Sequence, residues 1–311
     1  MQTVSYTPGQ TRAAEPSVIA LGFFDGVHLG HRALLRMARE RADALGLSLS
    51  VFTFPSEDEM MKRSAQRLYD TPKKLSLLAS LGVDTVYMCP LSLVAAFSAE
   101  EFVEKCLVRD LRAEATVCGF NYRFGKGAAG DCEALAAYMR ALGKESVTLP
   151  PMHLGEELLS SSAVRAHLCR GEVALANRML GDPFSLSGRV ESGDGRGRVL
   201  GIPTVNIPIA KNRLALPAGV YATAVRLKTG IFASVTNLGT CPTFGERSIH
   251  AEAHLLSFSG DLYGQDIEIE FLEKLRDERV FESKEMLIKQ INVDKIKALE
   301  VYEAWLEAGR N

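Results

Sequence analysis

The chain has 311 residues, enough for two domains, because a single hydrophobic core rarely grows to this size. Its composition, 47% hydrophobic and 24% charged with a formal net charge of -2, is typical of a soluble globular protein and weighs against nucleic acid as the main partner. The six cysteines form no C-x-x-C pair, and no apolar run reaches the length of a membrane span. We therefore expect a cytoplasmic protein with reduced thiols and no membrane segment.

The first half of the chain alternates short apolar runs with longer amphipathic ones. The predicted elements are, in order, a strand at 17–21, a helix at 31–45 ended by Gly46, a strand at 47–54, a helix at 72–81, strands at 83–88 and 115–119, a helix at 131–142 and a strand at 146–149. This alternation predicts a mostly parallel sheet with helices on both faces. Such sheets bind ligands at the carboxyl ends of their strands.

The second half has short segments rich in β-branched and aromatic residues, separated by Gly, Pro, Asn or Asp. The predicted strands are 185–190, 219–227, 231–237, 250–258 and 267–272, a pattern typical of an antiparallel barrel. The chain ends in helical sequence, where Ser283 is expected to cap one helix and Asp294 a second. The fold class is α/β plus β, with a domain boundary near residue 182.

The stretch GFFDGVHLGH, directly after the first predicted strand, carries His28 and His31 three residues apart. A metal site is one interpretation, but no Glu or third His lies near. A phosphate-binding turn is the second, because a helix N-terminus and an imidazole both favour phosphate oxygens, and Gly22, Gly26 and Gly30 allow close backbone approach. The third is an ordinary strand-to-helix turn with incidental histidines.

Segments along nearly the whole chain, in order, resemble the bacterial bifunctional riboflavin kinase/FAD synthetases, whose first domain belongs to the nucleotidyltransferase superfamily. They are FDGVHLGH, RLYDTPKKLSLLASLGVD, GFNYRFGKGAAGD, SSSAVRAHLCRGEVALANRMLG, GRVLGIPTVNI, LPAGVY, LGTCPTF, AEAHLL, DLYG and FLEKLRDERVF. The resemblance implies a Rossmann-like FMN adenylyltransferase domain at 1–182 and a riboflavin kinase barrel at 183–311. It implies two reactions, riboflavin and ATP to FMN and ADP, then FMN and ATP to FAD and pyrophosphate. The expected partners are these small molecules, with no nucleic acid or membrane, and the oligomeric state stays open.

In the first domain, the resemblance gives catalytic roles to His28, His31 and Arg165, which would bind the nucleotide phosphates. The further positions that it implies in FMN or ATP binding are Gly22, Phe23, Asp25, Gly26, Asn121, Phe124, Ser160, Ser161 and Ser162. From the residues alone, the serine run is equally a helix N-cap, and the phenylalanine at 124 is equally a core residue.

The family pattern is altered at two places. Ser162 stands where the family usually has Thr. The family's Pro-His-Pro turn is replaced by TFPSEDEMM, which puts Glu57, flanked by Asp58, at the histidine position. A carboxylate near bound phosphates would repel them, by about 4 kcal/mol at 4 Å and an effective dielectric near 20. The alternative is that this acidic run faces solvent.

In the second domain, the resemblance makes Glu252 the base that takes a proton from the riboflavin 5′-hydroxyl. Thr204 and Asn206 would hold Mg²⁺ delivered with ATP, since they supply the hard oxygen ligands that this ion prefers. Gly201, Pro203 and Arg276 complete the expected binding residues, although a surface salt bridge would also explain the arginine. No tightly bound zinc is expected.

Two other functions stay open on the sequence. One is a riboflavin kinase whose adenylyltransferase domain is weak because of the altered turn at Glu57. The other is a flavin- or nucleotide-binding regulator without turnover, against which the intact PTVN loop and Glu252 argue.

Overall fold

The computed structural model of the protein describes residues 1–58, 66–191, 202–209, 213–243 and 246–309, with the backbone alone at 240–243 and 246–248. The contacts divide the chain into two compact units, Met1–Ser161 and Ser162–Asn311. No helix in the described ranges is long and apolar enough to cross a bilayer.

The first unit is built around a parallel sheet. Its strands are β1 (Gln2–Ser5), β2 (Ser17–Leu21), β3 (Ser48–Thr53), β4 (Thr85–Met88), β5 (Ala113–Gly119) and β6 (Glu145–Leu149). They pair in the order β1-β4-β3-β2-β5-β6, with every pair parallel. The short strands β7 (His153–Leu154) and β8 (Glu157–Leu158) form a separate hairpin.

Helices cover both faces of this sheet. They are α1 (Leu29–Leu45), α2 (Thr71–Ser80), α3 (Ala99–Glu101), which continues as a π-helix at Phe102–Asp110, and α4 (Cys132–Ala141), with 3₁₀ turns at Leu91–Leu93 and Lys126–Ala128. Strand β2 is buried throughout: Val18 and Ala20 pack with α1 and α2, whereas Ile19 and Leu21 pack with the π-helix and α4. The result is the three-layer arrangement that the alternation of strands and helices predicts.

The predicted elements of the first half are present, with ends shifted by a few residues. The expected helix end at Gly46 is confirmed, since this residue has φ 65° and its N–H reaches the last carbonyls of α1. The sequence analysis missed β1 and the helical segment at 99–110. Strand β1 is a four-residue edge strand with little buried surface, so its sequence carries almost no periodic signal.

The second unit combines two helices, an antiparallel barrel and a long terminal helix. Its elements are α5 (Ser161–Arg170), α6 (Val173–Leu180), β9 (Phe184–Arg189), β10 (Val205–Ile209), β11 (Gly219–Leu227), β12 (Gly230–Thr243), β13 (Glu246–Leu255), β14 (Asp266–Arg276) and α7 (Lys284–Ala308). The strands pair in the order β10-β13-β12-β11-β14-β9. A bridge between Glu191 and Asn206 brings the two outer strands together, so the sheet is nearly closed, as predicted.

The terminal helical region differs from the expectation of two capped helices. Ser283 does cap the helix, accepting a hydrogen bond from the backbone of Met286. Asp294 caps nothing, because α7 runs without interruption from Lys284 to Ala308. Its carboxylate instead binds a side chain of β14, and this tertiary contact outweighs the local preference of Asp for a helix start.

Candidate active sites

The first unit has a cavity of about 300 Å³ at the carboxyl ends of β2, β5 and β6, beside the start of α1. Strand β2 pairs with β3 on one side and with β5 on the other, so the chain direction across the sheet reverses there. Ligands of open parallel sheets bind at such a switch point. The sequence placed the histidine motif in this position.

The turn from β2 into α1 has an unusual backbone. Phe24, Gly26 and Val27 have positive φ angles of 52°, 82° and 43°. Glycine adopts this region freely, but a branched side chain does so only at a cost of about 1–2 kcal/mol. Phe24 and Val27 are fully buried, so core packing holds the turn in shape.

The two histidines stack on one another at the end of this turn. Their ring centroids are 3.8 Å apart with an interplanar angle of 22°. Gly30 makes this possible, because a Cβ there would lie 3.1 Å from the ring of His28. The Nδ1 atoms of His28 and His31 are buried, and neither has a hydrogen-bond partner among the described residues. Buried polar atoms are normally satisfied, so this pair indicates a ligand.

Both rings are neutral at pH 7. Burial lowers the pKa of His28 to about 4. Burial, followed by electrostatic interaction with His28 and Lys74, holds the pKa of His31 well below its ordinary value. A bound polyanion would raise both pKa values by favouring the charged rings.

A third basic group, Lys74, was not found from the sequence. It is 3% exposed, and its Nζ donates to the carbonyl oxygens of Phe54 at 2.5 Å and Phe23 at 3.4 Å. Burial lowers the pKa of this ammonium to about 8, although the carboxylates of Asp25 and Glu57 raise it. A signal was present: Lys74 lies one turn before the buried Leu78, on the apolar face of α2.

Most of the predicted residues of this site line the cavity. The predicted residues in its wall are Gly22, Phe23, His28, His31, Asn121, Ser160 and Ser161. Asp25 does not line the cavity, and its hydrogen bonds involve backbone groups. Its carboxylate accepts from the N–H of Leu68 at 3.1 Å, and its carbonyl accepts from the hydroxyl of Ser161 at 2.8 Å.

Besides Asp25, four predicted residues are not among those that line the cavity: Gly26, Phe124, Ser162 and Arg165. Phe124 is 6% exposed and lies in the core, where its ring stacks on Tyr122 with centroids 5.7 Å apart. Tyr122 lines the cavity, as do the aromatic residues Phe23 and Phe120. Ser162 and Arg165 lie on α5, within the second compact unit.

The acidic residues that replace the family's histidine turn accept hydrogen bonds from other residues of the first unit. Glu57 accepts from the N–H and the hydroxyl of Thr71, at 3.0 and 2.5 Å, at the N-terminus of α2. Partial burial raises the pKa of Glu57, but these hydrogen bonds lower it by more, so the carboxyl is ionised at neutral pH. Asp58 accepts from the N–H of Leu91 at 2.6 Å. Neither residue lines the cavity.

The second unit has its own cavity, of about 670 Å³, between the barrel strands, the 276–281 segment and α7. Glu252, on β13, lines it. The register places Asn206 of β10 directly opposite Glu252 on one side and Asn237 of β12 on the other. Residues paired across antiparallel strands share a face, so a carboxylate and two amides form one row. Thr204 lines the same cavity.

Arg276 lines this cavity and is not the plain surface salt bridge considered above. It is 18% exposed, and its guanidinium contacts both carboxylate oxygens of Asp294 at 2.9–3.2 Å. Asp294 is itself 2% exposed and also accepts from Gln290 at 2.7 Å. The ion pair joins the middle of α7 to the end of β14 and fixes the arginine at the cavity wall.

The PTVN segment extends from the cavity into β10. Asn206 is buried within the strand, and the carbonyl of Pro203 accepts from Nδ1 of His254 at 2.8 Å. Gly201 lies outside the described residues. The sequence analysis overlooked His254, although strand alternation puts it on the same face as Glu252 two residues earlier.

The described ranges hold no cluster of three or more His, Cys, Asp or Glu side chains able to bind a metal ion. The chemistry of Thr204 and Asn206 nevertheless fits Mg²⁺ arriving on a nucleotide. A hydroxyl and an amide oxygen are two hard ligands, and the phosphates and waters would supply the others.

Two family models match this chain. One, described as FAD synthetase, matches residues 10–163, which contain every residue that lines the first cavity. The other, described as riboflavin kinase, matches residues 180–302, which contain the second cavity. Each model therefore covers one of the two sites built above.

Whole-length relatives combine both halves. Proteins known as bifunctional riboflavin kinase/FMN adenylyltransferase are 36% identical in Escherichia coli K12, covering 93% of each chain, and 33% identical in Bacillus subtilis 168, covering 92% of each chain. A crystal structure described as a macrolide-efflux protein from Streptococcus pneumoniae has the same fold, with a TM-score of 0.87, 26% identity and coverage of 95% of this chain and 98% of the other. The chain belongs to the bifunctional riboflavin kinase/FMN adenylyltransferase family.

Proposed function

We propose that the two reactions of this family are divided between the two cavities. Riboflavin is phosphorylated to FMN in the second cavity, and FMN is adenylylated to FAD in the first, with ATP as co-substrate of both steps. We place the domains at 1–182 and 183–311, close to where the second matched range begins at 180, although the compact units divide earlier, between Ser161 and Ser162. The observation that carries the proposal is the pair of unsatisfied imidazole nitrogens beside a buried ammonium.

In the first cavity, an oxygen of the FMN phosphate attacks the α-phosphorus of ATP, and pyrophosphate leaves. His28 and His31 donate hydrogen bonds to the non-bridging oxygens through Nδ1, in the tautomer that carries a proton there. The rigid turn orients both donors before the substrates bind. Arg165 and the serines at 160–162 remain the predicted partners of the ATP phosphates, by resemblance.

The buried ammonium of Lys74 also favours binding of phosphates in the first cavity. This group donates to the carbonyl of Phe23, which lines the cavity, and to that of Phe54. A buried cation is poorly solvated, so a nearby polyanion gains more from it than it would from a surface lysine. We assign Lys74 a positioning role, since it acts through the backbone and the local potential.

In the second cavity, Glu252 takes the proton of the riboflavin 5′-hydroxyl while that oxygen bonds to the γ-phosphorus and ADP leaves. Thr204 and Asn206, the second of which is paired with Glu252 in the strand register, would hold the Mg²⁺ that arrives with ATP. Arg276, fixed by Asp294, offers its remaining N–H groups on the flavin side. Most of the rate enhancement in phosphoryl transfer comes from such positioning and charge neutralisation.

The test is an incubation of the purified protein with riboflavin, ATP and Mg²⁺, with the flavins separated by chromatography. We expect FMN to appear first and FAD to follow. FMN alone would support the kinase with a weak first domain, and unchanged riboflavin would support the regulator. Glu57 accepts a hydrogen bond from Thr71 and does not line the cavity, so its carboxylate is not placed to repel bound phosphates there. This contact favours a bifunctional enzyme over a kinase with a weak first domain.

Substitution of the proposed base checks the division between sites. Glu252→Gln removes the proton acceptor but keeps the size of the side chain, so FMN formation should fall by about 10²–10⁴. FAD formation from supplied FMN should stay at the parental rate, since that step uses the other cavity. Equal losses in both steps would contradict the assignment.

A further inference from the structure

We infer that His254 is a positioning residue of the kinase reaction: by holding the carbonyl of Pro203, it fixes the segment that carries Thr204 and Asn206 opposite Glu252. This inference rests on the kinase site proposed above. It concerns a side chain to which neither the motif nor the reaction gave a role.

The placement of His254 follows from the strand that carries it. It lies two residues after Glu252 on β13, so both side chains stand on the same face of the barrel sheet. The register puts Val235 of β12 opposite His254, as it puts Asn237 opposite Glu252. All four of these residues line the cavity. The imidazole is therefore one strand position beyond the proposed base.

The hydrogen bond has one possible polarity. A carbonyl oxygen only accepts, so Nδ1 of His254 carries the proton and donates it to Pro203 at 2.8 Å. The two residues are 51 positions apart in the chain, so this is a tertiary contact rather than a local one. The ring is half-buried, whereas Pro203 and the hydrogen bond itself are exposed, so the contribution of this bond is that of a contact for which water competes.

The position of this bond explains its effect. The ladder between β10 and β13 begins with the pair Val205 and Ala253, so residues 202–204 precede the strand and are not held by it. The His254 side chain extends the connection between the two strands by two residues, to Pro203. Thr204 is then fixed from both sides, by the ladder at Val205 and by the imidazole at Pro203.

Fixing this short segment should matter mainly for nucleotide binding. Thr204 and Asn206 are the predicted ligands of Mg·ATP, and a loose Thr204 would have to be ordered when the nucleotide binds. Loss of one such hydrogen bond should therefore weaken binding of Mg·ATP by roughly tenfold. The transfer step should change much less, because Glu252 keeps its place in the strand ladder.

Three substitutions separate the hydrogen bond from the bulk of the ring. His254→Asn places an amide N–H close to the position of Nδ1, His254→Gln places one close to Nε2, and His254→Leu removes the donor but keeps an apolar side chain. Kinase KM and kcat for Mg·ATP are measured for each, together with equilibrium binding of Mg·ADP by calorimetry. FAD formation from supplied FMN reports on the intact first domain.

We expect His254→Asn to remain near the parental values, whereas His254→Gln and His254→Leu raise the KM for Mg·ATP and the Kd for Mg·ADP roughly tenfold. Parental values in all three variants would overturn the inference, and so would an Asn variant as impaired as the other two. A fall in kcat at unchanged KM would also overturn it, because it would point to a chemical role.

Glu252→Gln, assayed in parallel, tests the proposed kinase site separately from the positioning role of His254. If it abolishes FMN formation while the three His254 variants behave as the parent, the kinase site stands and only the positioning role fails. If it leaves FMN formation unchanged, the proposed site itself is wrong.

Discussion

The two cavities, each of which we propose to bind an ATP phosphate chain, differ in how their polar groups are bonded. In the first, the Nδ1 atoms of His28 and His31 are buried and unsatisfied, and Lys74 donates to two backbone carbonyls, its hydrogen-bond acceptors among the described residues. In the second, Arg276 is already bound to Asp294 and Asn237 to Glu278. A ligand would complete the hydrogen bonding of the first cavity, whereas protein groups already provide much of it in the second.

This difference follows from the two architectures. At the end of a parallel sheet, site residues come from loops, where only a strained turn and buried neighbours hold their geometry. In the barrel, site residues alternate along strands, so the ladder itself sets their spacing and every second residue faces the cavity. A substitution in the first cavity should therefore change ligand binding and the local electrostatics together. In the second cavity, the effects of substitutions at different strand positions should be separable.

The largest expected effect tests the unsatisfied pair. His31→Ala removes one preorganised donor, so FAD formation from FMN should fall by about 10²–10³, and FMN formation from riboflavin should be unchanged. A matched control is His153→Ala, which removes an exposed histidine from the hairpin strand β7 of the same unit. Parental FAD synthesis in the His31 variant would return the pair to an incidental role.

The second effect tests the buried ammonium by pH. The pKa of Lys74 is about 8 in the folded protein, below its ordinary value of 10.5, so between these values the unfolded chain binds more protons. The free energy of unfolding should therefore rise with pH across this window, by at most about 3 kcal/mol. Below pH 8 the penalty for burying the charged lysine is fully present.

Lys74→Met provides the comparison for that measurement, since it removes the titration and keeps a long side chain. The difference in unfolding free energy between parent and variant, followed by chemical denaturation from pH 7 to 10.5, should shift in favour of the parent as pH rises. A difference that stays constant over this range would show that Lys74 is not a buried cation.

The smallest effect tests the acidic turn. Because the Glu57 carboxylate is bonded to Thr71, Glu57→His should change the rate of FAD formation by no more than about twofold. It should lower the unfolding free energy by about 1 kcal/mol at most, since an exposed loop residue that accepts hydrogen bonds from Thr71, the first residue of α2, is replaced. A large gain in FAD synthesis would mean that the carboxylate repels bound phosphates after all.

Much of the fold could be read from hydrophobic periodicity. Strand β2 and helix α1 were predicted almost to their ends because their burial is regular, and the barrel strands were predicted from short β-branched runs. Strand β10 was missed because PTVNI contains a proline and reads as a loop. The helical segment at 99–110 was missed although its buried residues, Phe102, Val103, Cys106, Leu107 and Asp110, recur at helical spacing, so the sequence did carry a signal there.

Site residues that belong to a sequence motif could be predicted. Residues whose role depends on a tertiary contact could not. His28, His31, Thr204 and Glu252 all line cavities. The roles of Asp294 and His254 depend on partners 18 and 51 residues away, which no local pattern specifies. Glu57 shows the converse, since its sequence suggested repulsion at the site and its hydrogen bonds direct it elsewhere.

The strained turn between β2 and α1 limits how this enzyme can be improved by directed evolution. Val27 is fully buried at a φ of 43°, a conformation that glycine would adopt without strain. Glycine would also remove the buried side chain, and such large-to-small core substitutions cost about 2–5 kcal/mol, more than the roughly 1–2 kcal/mol of strain that would be relieved. Selection for heat resistance by single substitutions should therefore retain the valine, and with it the strained turn that carries the histidines.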